Sequence, residues 1–231
     1  MSGIIEFYKI DKSKIEKNFL PLMSSEKILE TLREIVFAHN LHTEYDKVLY
    51  EDILIKIKSD FFKINHTEFQ LILDWITSCF SEEFESSLDF LGNLGLVEIG
   101  YLHSREESAI FYAFGAYGLN DFNGSSSSDF KIVLDFLILT LSKIILKEKE
   151  IDTDYKDEVE AIVSFLSKKE DLNLKTNEFL DNISSENDFE NLYINEKQYM
   201  FECCEGLLSK MKFFKENIID YNGVVYRRDL F

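Results

Sequence analysis

The sequence predicts a mainly helical α+β protein with small β-hairpins. Apolar residues recur at helical spacing through much of the 231-residue chain, and capping residues precede many of these stretches. Leu96–Tyr101 is rich in residues that favour strands, and a second short apolar run, Ala109–Phe114, follows a polar turn. Asn222-Gly223 lies between two further β-favouring runs, which is the strongest short-range signal for a hairpin.

The first half of the chain predicts a series of short helices. Ser13 with Glu16 forms a capping box, and Pro21 closes that first helix. Polar residues 103–108 predict a hairpin turn, although Ser104 with Glu107 could also cap a helix. Further helices are predicted to open at Ser24 or Ser25, at Thr43, at Asn65 with Glu68, and at Ser81, with the last ending at Gly92 or Gly95.

The second half begins after a Gly/Ser-rich linker, residues 119–129. Long helices are predicted over Phe130–Lys149 and Asp157–Lys168, and an extended piece over Leu172–Leu174. Thr176 is predicted to cap the next helix, and Asn195 with Gln198 to open the last. The predicted domains are an N-terminal helical segment (1–42), a first unit (43–118), the linker, and a second unit (130–231).

The net charge of −18 is spread unevenly. Residues 1–63 are nearly neutral, residues 64–130 carry eleven acidic residues against Arg105 alone, and the remainder is moderately acidic. We do not expect so negative a chain to bind nucleic acid over its whole surface, because phosphate binding needs Lys and Arg. The charge favours a basic partner, or serves solubility alone as a solvated face.

The chain ends and the cysteines predict a reduced, cytoplasmic location. Residues 1–10 do not resemble a secretory signal, and charges interrupt the most apolar stretch, Phe130–Leu146, so we expect no membrane span. The cysteines are Cys79, Cys203 and Cys204, with no C-x-x-C pair.

Both halves are predicted to run helix, short strand, helix, helix, hairpin. This order resembles the winged-helix family. The first copy is carried by residues 90–114, FLGNLGLVEIGYLHSREESAIFYAF, and the second by residues 160–180, EAIVSFLSKKEDLNLKTNEFL, with the hairpin at Asn222-Gly223. The acidic insert from Ser184 to Asn195 departs from a compact second copy. The fold class implied is mainly α with two winged-helix-like units after N-terminal helices.

An acidic protein with two such units resembles the small accessory subunits of SMC-type ATPase complexes. Those subunits bind the kleisin linker of condensin-like machines, and related ones occur in bacterial anti-plasmid and anti-phage systems. The resemblance implies a non-catalytic adaptor that works through protein contacts.

In winged-helix proteins that bind DNA the third helix enters the major groove, so the resemblance directs attention to the third helix of each predicted unit. In the first unit this helix carries only acids, which would repel phosphate, so we expect a partner-binding face at Glu82, Glu83, Glu85 and Asp89. In the second unit, lysines near the helix C-terminus complement its dipole or touch a DNA backbone together with the predicted wing. The candidate DNA-backbone residues are Lys210, Lys212, Lys215, Arg227 and Arg228.

No motif predicts catalysis, a cofactor or a metal. His39-x-x-His42, with Glu44 and Asp46 nearby, lacks a second pair at zinc spacing. The acids at 152, 154 and 157 fail the calcium-loop pattern, and capping by Thr153 or Asp154 explains them better. The sequence contains no phosphate-binding glycine motif and no nucleophile elbow.

Three functions follow as hypotheses. The first is an adaptor that binds a larger ATPase or kleisin-like subunit, with DNA contacted weakly or through the complex, no membrane, and a homodimer compatible with the sequence. The second is an immunity protein that blocks a basic toxin electrostatically. The third is a winged-helix DNA-binding regulator. Neighbouring genes separate the first two, since one expects an ATPase gene and the other a toxin gene.

Overall fold

The computed structural model describes residues 3–23, 25, 26, 30, 52, 53, 55–80, 89–106, 125–148, 151–185 and 191–230. A π-helical turn, Ile15–Phe19, joins α1 and α2, and a 3-10 turn, Phe61–Lys63, precedes α3. The helices are α1 (Lys12–Lys14), α2 (Leu20–Met23), α3 (His66–Cys79), α4 (Phe90–Leu94), α5 (Ser127–Glu148), α6 (Thr153–Leu166), α7 (Glu170–Ser185) and α8 (Asn191–Asn217). The strands are β1 (Ile4–Ile10), β2 (Leu96–His103), β3 (Ser125–Ser126) and β4 (Val224–Leu230). The mainly helical α+β class is confirmed.

The described strands form one antiparallel sheet in the order β2-β1-β4-β3. Its central strand β1 lies in the segment 1–42 that the sequence predicted as helical, and that prediction is wrong for Ile4–Ile10. The strand is buried on both faces: Ile5 and Phe7 face one core, and Tyr8 and Ile10 the other. Such a strand lacks the polar alternation that marks a half-buried one.

Every predicted segment of the chain contributes a strand to the sheet. β1 comes from the predicted N-terminal segment, β2 from the first unit and β4 from the second, and both pair directly with β1. The predicted linker also contributes, because Ser125–Ser126 form β3 and Ser127 begins α5. The Ser-rich run is therefore ordered structure where the sequence predicted a linker.

The predicted C-terminal hairpin at Asn222-Gly223 is wrong. Ile218–Asp220 form a turn directly after α8, and β4 pairs with β1 and β3. The Tyr221 hydroxyl accepts the Ile10 N–H at 3.1 Å and donates to the Val224 carbonyl at 2.9 Å. The Gly223 carbonyl accepts the Ser127 N–H at 2.7 Å. Asn222 and Gly223 therefore lie in the connection between a helix and a strand.

Some of the predicted helix caps and short elements are confirmed, and others are wrong. The Asn65–Glu68 capping box is confirmed, as is Gly95 as a left-handed cap (φ 99°). Residues 104–106 form a helical turn, but Ser104 lies inside it and does not cap it, and Glu106 accepts the His103 N–H. The extended piece Leu172–Leu174 is wrong, because those residues lie in α7. The first helix is capped by Asp11 where Ser13 was predicted, and Pro21 lies inside α2 and does not end the preceding helix. Asp152 caps α6 in place of Thr153 or Asp154. The predicted helix starts at Thr176 and Asn195 are also wrong, because these residues lie within α7 and α8.

Several predictions lie outside the described residues. They concern the helix starts at Ser24, Thr43 and Ser81, the strand Ala109–Phe114, and the His39/His42 pair with Glu44 and Asp46.

Two hydrophobic cores lie on opposite faces of the sheet. The first packs β-sheet residues such as Phe7 and Val225 against α5, α6, α7 and α8. The second packs Tyr8 and Tyr226 against the first helices, α3 and α4, and Tyr226 stacks on Phe69 at a centroid distance of 4.5 Å. Because the strands separate the cores, helices from both halves of the chain depend on the same sheet.

A β-bulge lets β2, the end strand of the sheet among the described residues, contribute side chains to both cores. Ile99 and Gly100 together oppose Phe7, which shifts the register. As a result Leu96 faces the second core while Leu102, an even number of residues away, faces the first. Asn217 at the end of α8 donates to the Ile99 carbonyl at 2.9 Å, so the bulge is tied to that helix.

We expect Gly100→Ala to destabilise the fold. Gly100 has a φ of +157°, and an added Cβ would lie 2.2 Å from Cε1 of the buried Phe214. Overpacking and backbone strain together predict a loss of about 2–4 kcal/mol in the free energy of unfolding, measured by urea denaturation.

The matched control is Gly206→Ala in α8, where an added Cβ meets nothing within 4 Å. It should stabilise the helix by about 0.5–1 kcal/mol. Equal effects of the two substitutions would contradict the role of the bulge.

Candidate functional site: an ion-paired basic cluster

The predicted basic residues of α8 each contact a carboxylate on another element. Lys210 Nζ lies 2.6 and 2.8 Å from the Glu106 carboxylate oxygens and 5.1 Å from the centre of the exposed Tyr101 ring. Glu106 also accepts the His103 N–H at 2.8 Å. The end of β2 therefore holds the Lys210 ammonium against the sheet edge.

The next two lysines of α8 face the helices on the other side. Lys212 pairs with Glu158 of α6, and Lys215 pairs with Asp135 of α5. Asp135 is buried at 6 % exposure and also accepts Lys169 Nζ at 2.5 Å. A buried carboxylate needs such partners because water no longer solvates its charge. Asp135 thus joins α5, α8 and the turn before α7.

The two arginines lie in the sheet. Arg228 is 6 % exposed, and its Nη1 lies 3.6 Å from Glu6 Oε2 on the neighbouring strand. Its Nε has no hydrogen-bond partner among the residues that the structure describes. Arg227 is half-buried and opposes Phe7 in the β1–β4 register. The predicted wing is therefore an inner strand, and Arg228 is closed off from a large ligand.

The five residues proposed for DNA-backbone contact therefore do not form one free basic surface. Lys210, Lys212, Lys215 and Arg228 each face a carboxylate inside the protein. A phosphate would have to compete with these carboxylates, which cancel much of the counterion release that drives DNA binding.

Of the predicted acidic partner-binding residues, the structure describes Asp89. Its side chain is exposed at the start of α4 and makes no capping hydrogen bond. Glu82, Glu83 and Glu85 lie outside the described residues. Asp89 remains compatible with a contact to a basic group.

A second charged cluster lies around the buried Tyr8, on the sheet face of the second core. Tyr8 donates to Glu6 at 2.5 Å, and Arg228 stands opposite Glu6. Burial, reinforced by the Glu6 charge, raises the pKa of Tyr8 and also that of Glu98, which opposes Tyr8 on β2. Burial likewise raises the pKa of Asp74 on α3, although Arg228 opposes that rise. Sequence reasoning missed this cluster, because only the strand register brings its members together.

Lys143 is a further polar group on α5. Its ammonium donates to the side-chain oxygens of Asn173 at 2.7 Å and Asn177 at 2.6 Å, both on α7. Burial lowers its pKa. Neutral amide partners stabilise an ammonium less than a carboxylate does, so the contact serves to attach α7 to α5.

Within the described ranges, no three His, Cys, Asp or Glu side chains are grouped so as to hold a metal ion. Cys79, Cys203 and Cys204 are free thiols. Across the same ranges, no helix is both long and apolar enough to span a bilayer.

Comparisons with protein-family models, with curated proteins and with solved structures give no match to this chain.

Replacing Asp135 tests the ion-pair network. Asp135→Asn removes the charge that Lys169 and Lys215 share, and we expect unfolding to become easier by about 1–3 kcal/mol, less than for a fully buried pair because both lysines reach solvent. Chemical denaturation measures the change. Asp157→Asn on the exposed face of α6 is the control and should alter stability by under about 0.5 kcal/mol. Two equal effects would argue against the network.

The raised pKa of Glu98 predicts a pH effect of opposite sign to that of an ordinary ion-paired carboxylate. The folded protein keeps the Glu98 proton to a higher pH than the unfolded chain does, so stability falls as pH rises through the raised pKa. Glu98→Gln should remove this fall. The melting temperature of the variant relative to wild type should therefore increase over that pH interval. A Glu98→Gln variant less stable than wild type at neutral pH would refute this assignment.

Proposed function

We propose that this protein is a non-catalytic adaptor that binds a larger, basic protein partner. The observation that carries the proposal is the internal pairing of its cations. Lys210, Lys212, Lys215 and Arg228 face carboxylates of the same chain. With 43 acidic residues against 25 basic ones, the excess of negative charge is left to the surface.

This distribution supports protein binding over DNA binding. An excess of carboxylates attracts a basic partner and repels phosphate at the range of a Debye length. A DNA-binding regulator would need the α8 lysines and Arg228 free, and their pairing counts against that alternative.

The identity of the partner as a subunit of an SMC-like ATPase complex rests on the winged-helix resemblance. The element order of the first unit supports it at α4 and β2, which follow one another as the resemblance requires. In the second unit the residues of the predicted strand lie in helix α7, and the predicted hairpin is replaced by the pairing of β4 in the shared sheet. The second unit therefore supports the winged-helix resemblance less than the first unit does. A toxin-neutralising immunity protein would use the same acidic surface.

Duplex binding separates the adaptor from the regulator. We expect binding weaker than about 10⁻⁴ M at physiological salt, since the cations that would displace counterions are already paired. Fluorescence anisotropy over a salt series measures it. Tight binding with a steep salt slope, lost in a variant with Lys210, Lys212 and Lys215 all changed to Gln, would contradict the proposal.

Purification from the native host tests the adaptor directly. A tagged chain expressed at its natural level should retain a larger protein through a low-salt wash, and mass spectrometry should identify one dominant partner. An ATPase or kleisin-like partner supports the first reading, and a small basic toxin the second. Recovery of the chain by itself would refute both.

A further inference from the structure

Strand β2 ends the sheet on one side, and among the described residues no further strand pairs with its outer edge. In an antiparallel pair every second residue directs its N–H and C=O away from the neighbouring strand. At one end of the β1–β2 pair, Asp11 N–H donates to the Gly95 carbonyl at 2.8 Å. At the other end, Ser104 N–H donates to the Gly3 carbonyl at 2.9 Å. Counted inward from these two bonds, the residues that face outward are Leu96, Glu98, Tyr101 and His103.

The bulge does not interrupt this outer edge. The extra residue of β2 is taken up where Ile99 and Gly100 together oppose Phe7. The four outward residues therefore oppose every second residue of β1, in the order Ile10, Tyr8, Glu6 and Ile4. Their peptide groups keep the spacing of a regular strand, to which another extended chain can hydrogen-bond.

The open section of the edge lies at Glu98 and Tyr101. The backbone N–H and C=O of both residues have no hydrogen-bond partner among the described residues. The His103 N–H is already taken by the Glu106 carboxylate, so the section ends there. Strand β2 contains neither Lys nor Pro, the residues with which many proteins block an exposed edge.

Exposed aromatic side chains flank the open section on both faces of the sheet. Tyr101 is 44 % exposed and lies on the face of the second core. On the other face α8 reaches the edge through Lys210, which contacts the Tyr101 ring, and through Asn217, which donates to the bulge. Phe213 lies between those two residues on the same side of α8 and is 54 % exposed. A chain added to β2 would therefore meet an aromatic ring on each face.

Glu98 gives the open section an unpaired negative charge. Its carboxylate is partly exposed and has no ion-pair partner among the described residues. Burial and the Glu6 charge raise the pKa of Glu98, and no cation opposes that rise, whereas Arg228 does oppose it at Asp74. A cation placed beside Glu98 would therefore be stabilised.

The lysines nearest to this section are held by other groups. Lys210 is paired with Glu106. Lys9 lies on the opposite face of the sheet, where it donates to the Asn217 carbonyl. Charge complementarity therefore favours Lys or Arg in an added strand at the position beside Glu98.

We propose that the outer edge of β2 binds an extended segment of the partner protein, which adds a strand to the sheet and carries Lys or Arg beside Glu98. The inference rests on the proposed adaptor function and names the surface and the kind of segment that binds there. Main-chain hydrogen bonds to Glu98 and Tyr101 would supply affinity. Alternate side chains of the segment would contact Tyr101 on one face and Phe213 on the other, which supplies selectivity.

A second copy of β2 fits this edge less well. Two chains of net charge −18 repel one another. An antiparallel pair of β2 strands would also bring two unpaired Glu98 carboxylates to one face of the joined sheet, where like charges destabilise the pairing.

Backbone-modified peptides test the proposal on the unaltered protein. The parent peptide has about ten residues, with Val or Ile alternating with Lys or Arg. Two derivatives carry N-methyl groups on alternate amides, one set on each edge of the strand. Because only one edge of an added strand bonds to β2, calorimetry should show one derivative binding like the parent and the other at least about 10-fold more weakly. Equal binding of the two derivatives, or no binding of the parent at about 1 mM, would overturn the proposal.

Hydrogen exchange locates the bound strand. The amide protons of Glu98 and Tyr101 should exchange quickly in the free protein, and the parent peptide should slow them at least about 10-fold. Val97 and Leu102 are the internal controls, because their N–H groups face β1 and should exchange slowly in both states. Protection by the peptide that leaves Glu98 and Tyr101 unchanged would refute the site.

Matched protein variants separate the backbone contact from the side-chain contacts. Glu98→Pro removes an N–H that β1 does not use, and it should weaken binding of the parent peptide by at least about 10-fold. Glu98→Gln keeps that N–H and should weaken binding by about 3-fold only. Phe213→Ala should weaken binding by about 3- to 10-fold, whereas Ile132→Ala, an exposed position on α5, should change it by less than about 2-fold.

The outcomes separate this inference from the proposed function. If a partner co-purifies equally with wild type and with Glu98→Pro, the adaptor role stands and the edge is refuted. A wild-type dimer that Glu98→Pro converts to monomer, seen by light scattering, would make a second copy the occupant and overturn the proposal. If no partner co-purifies and duplex DNA binds tightly, the adaptor function itself fails.

Discussion

The structure depends on the burial of one strand between two helical layers. Strand β1 pairs with β2 on one side and with β4 on the other, and its side chains enter both hydrophobic cores. Because its partners come from the middle and the end of the chain, β1 has to pair across most of the sequence. Such non-local contacts make the two halves dependent on each other, since neither core is complete without the shared sheet.

The same sheet fixes where the charged groups stand. The register of β1 with β4 places Glu6 opposite Arg228, and the helices above bring Lys212 and Lys215 to Glu158 and Asp135. Each pairing neutralises one cation and one carboxylate, so the net charge of −18 lies on residues outside these pairs. The proposal of a basic protein as partner rests on this excess of carboxylates.

Sequence by itself determined the helical content, the capping box at Asn65, the left-handed cap at Gly95, and the uneven distribution of charge. These are local properties that depend on a few neighbouring residues. Tertiary structure decided that Ile4–Ile10 is a strand and that Asn222-Gly223 lies between a helix and a strand. It also decided that Lys210, Lys212, Lys215 and Arg228 are paired. Each of these depends on partners more than 50 residues away along the chain, as the 54 residues between Lys212 and Glu158 illustrate. Spacing along a sequence reports which face a side chain occupies, but only the packed fold decides what lies opposite that face.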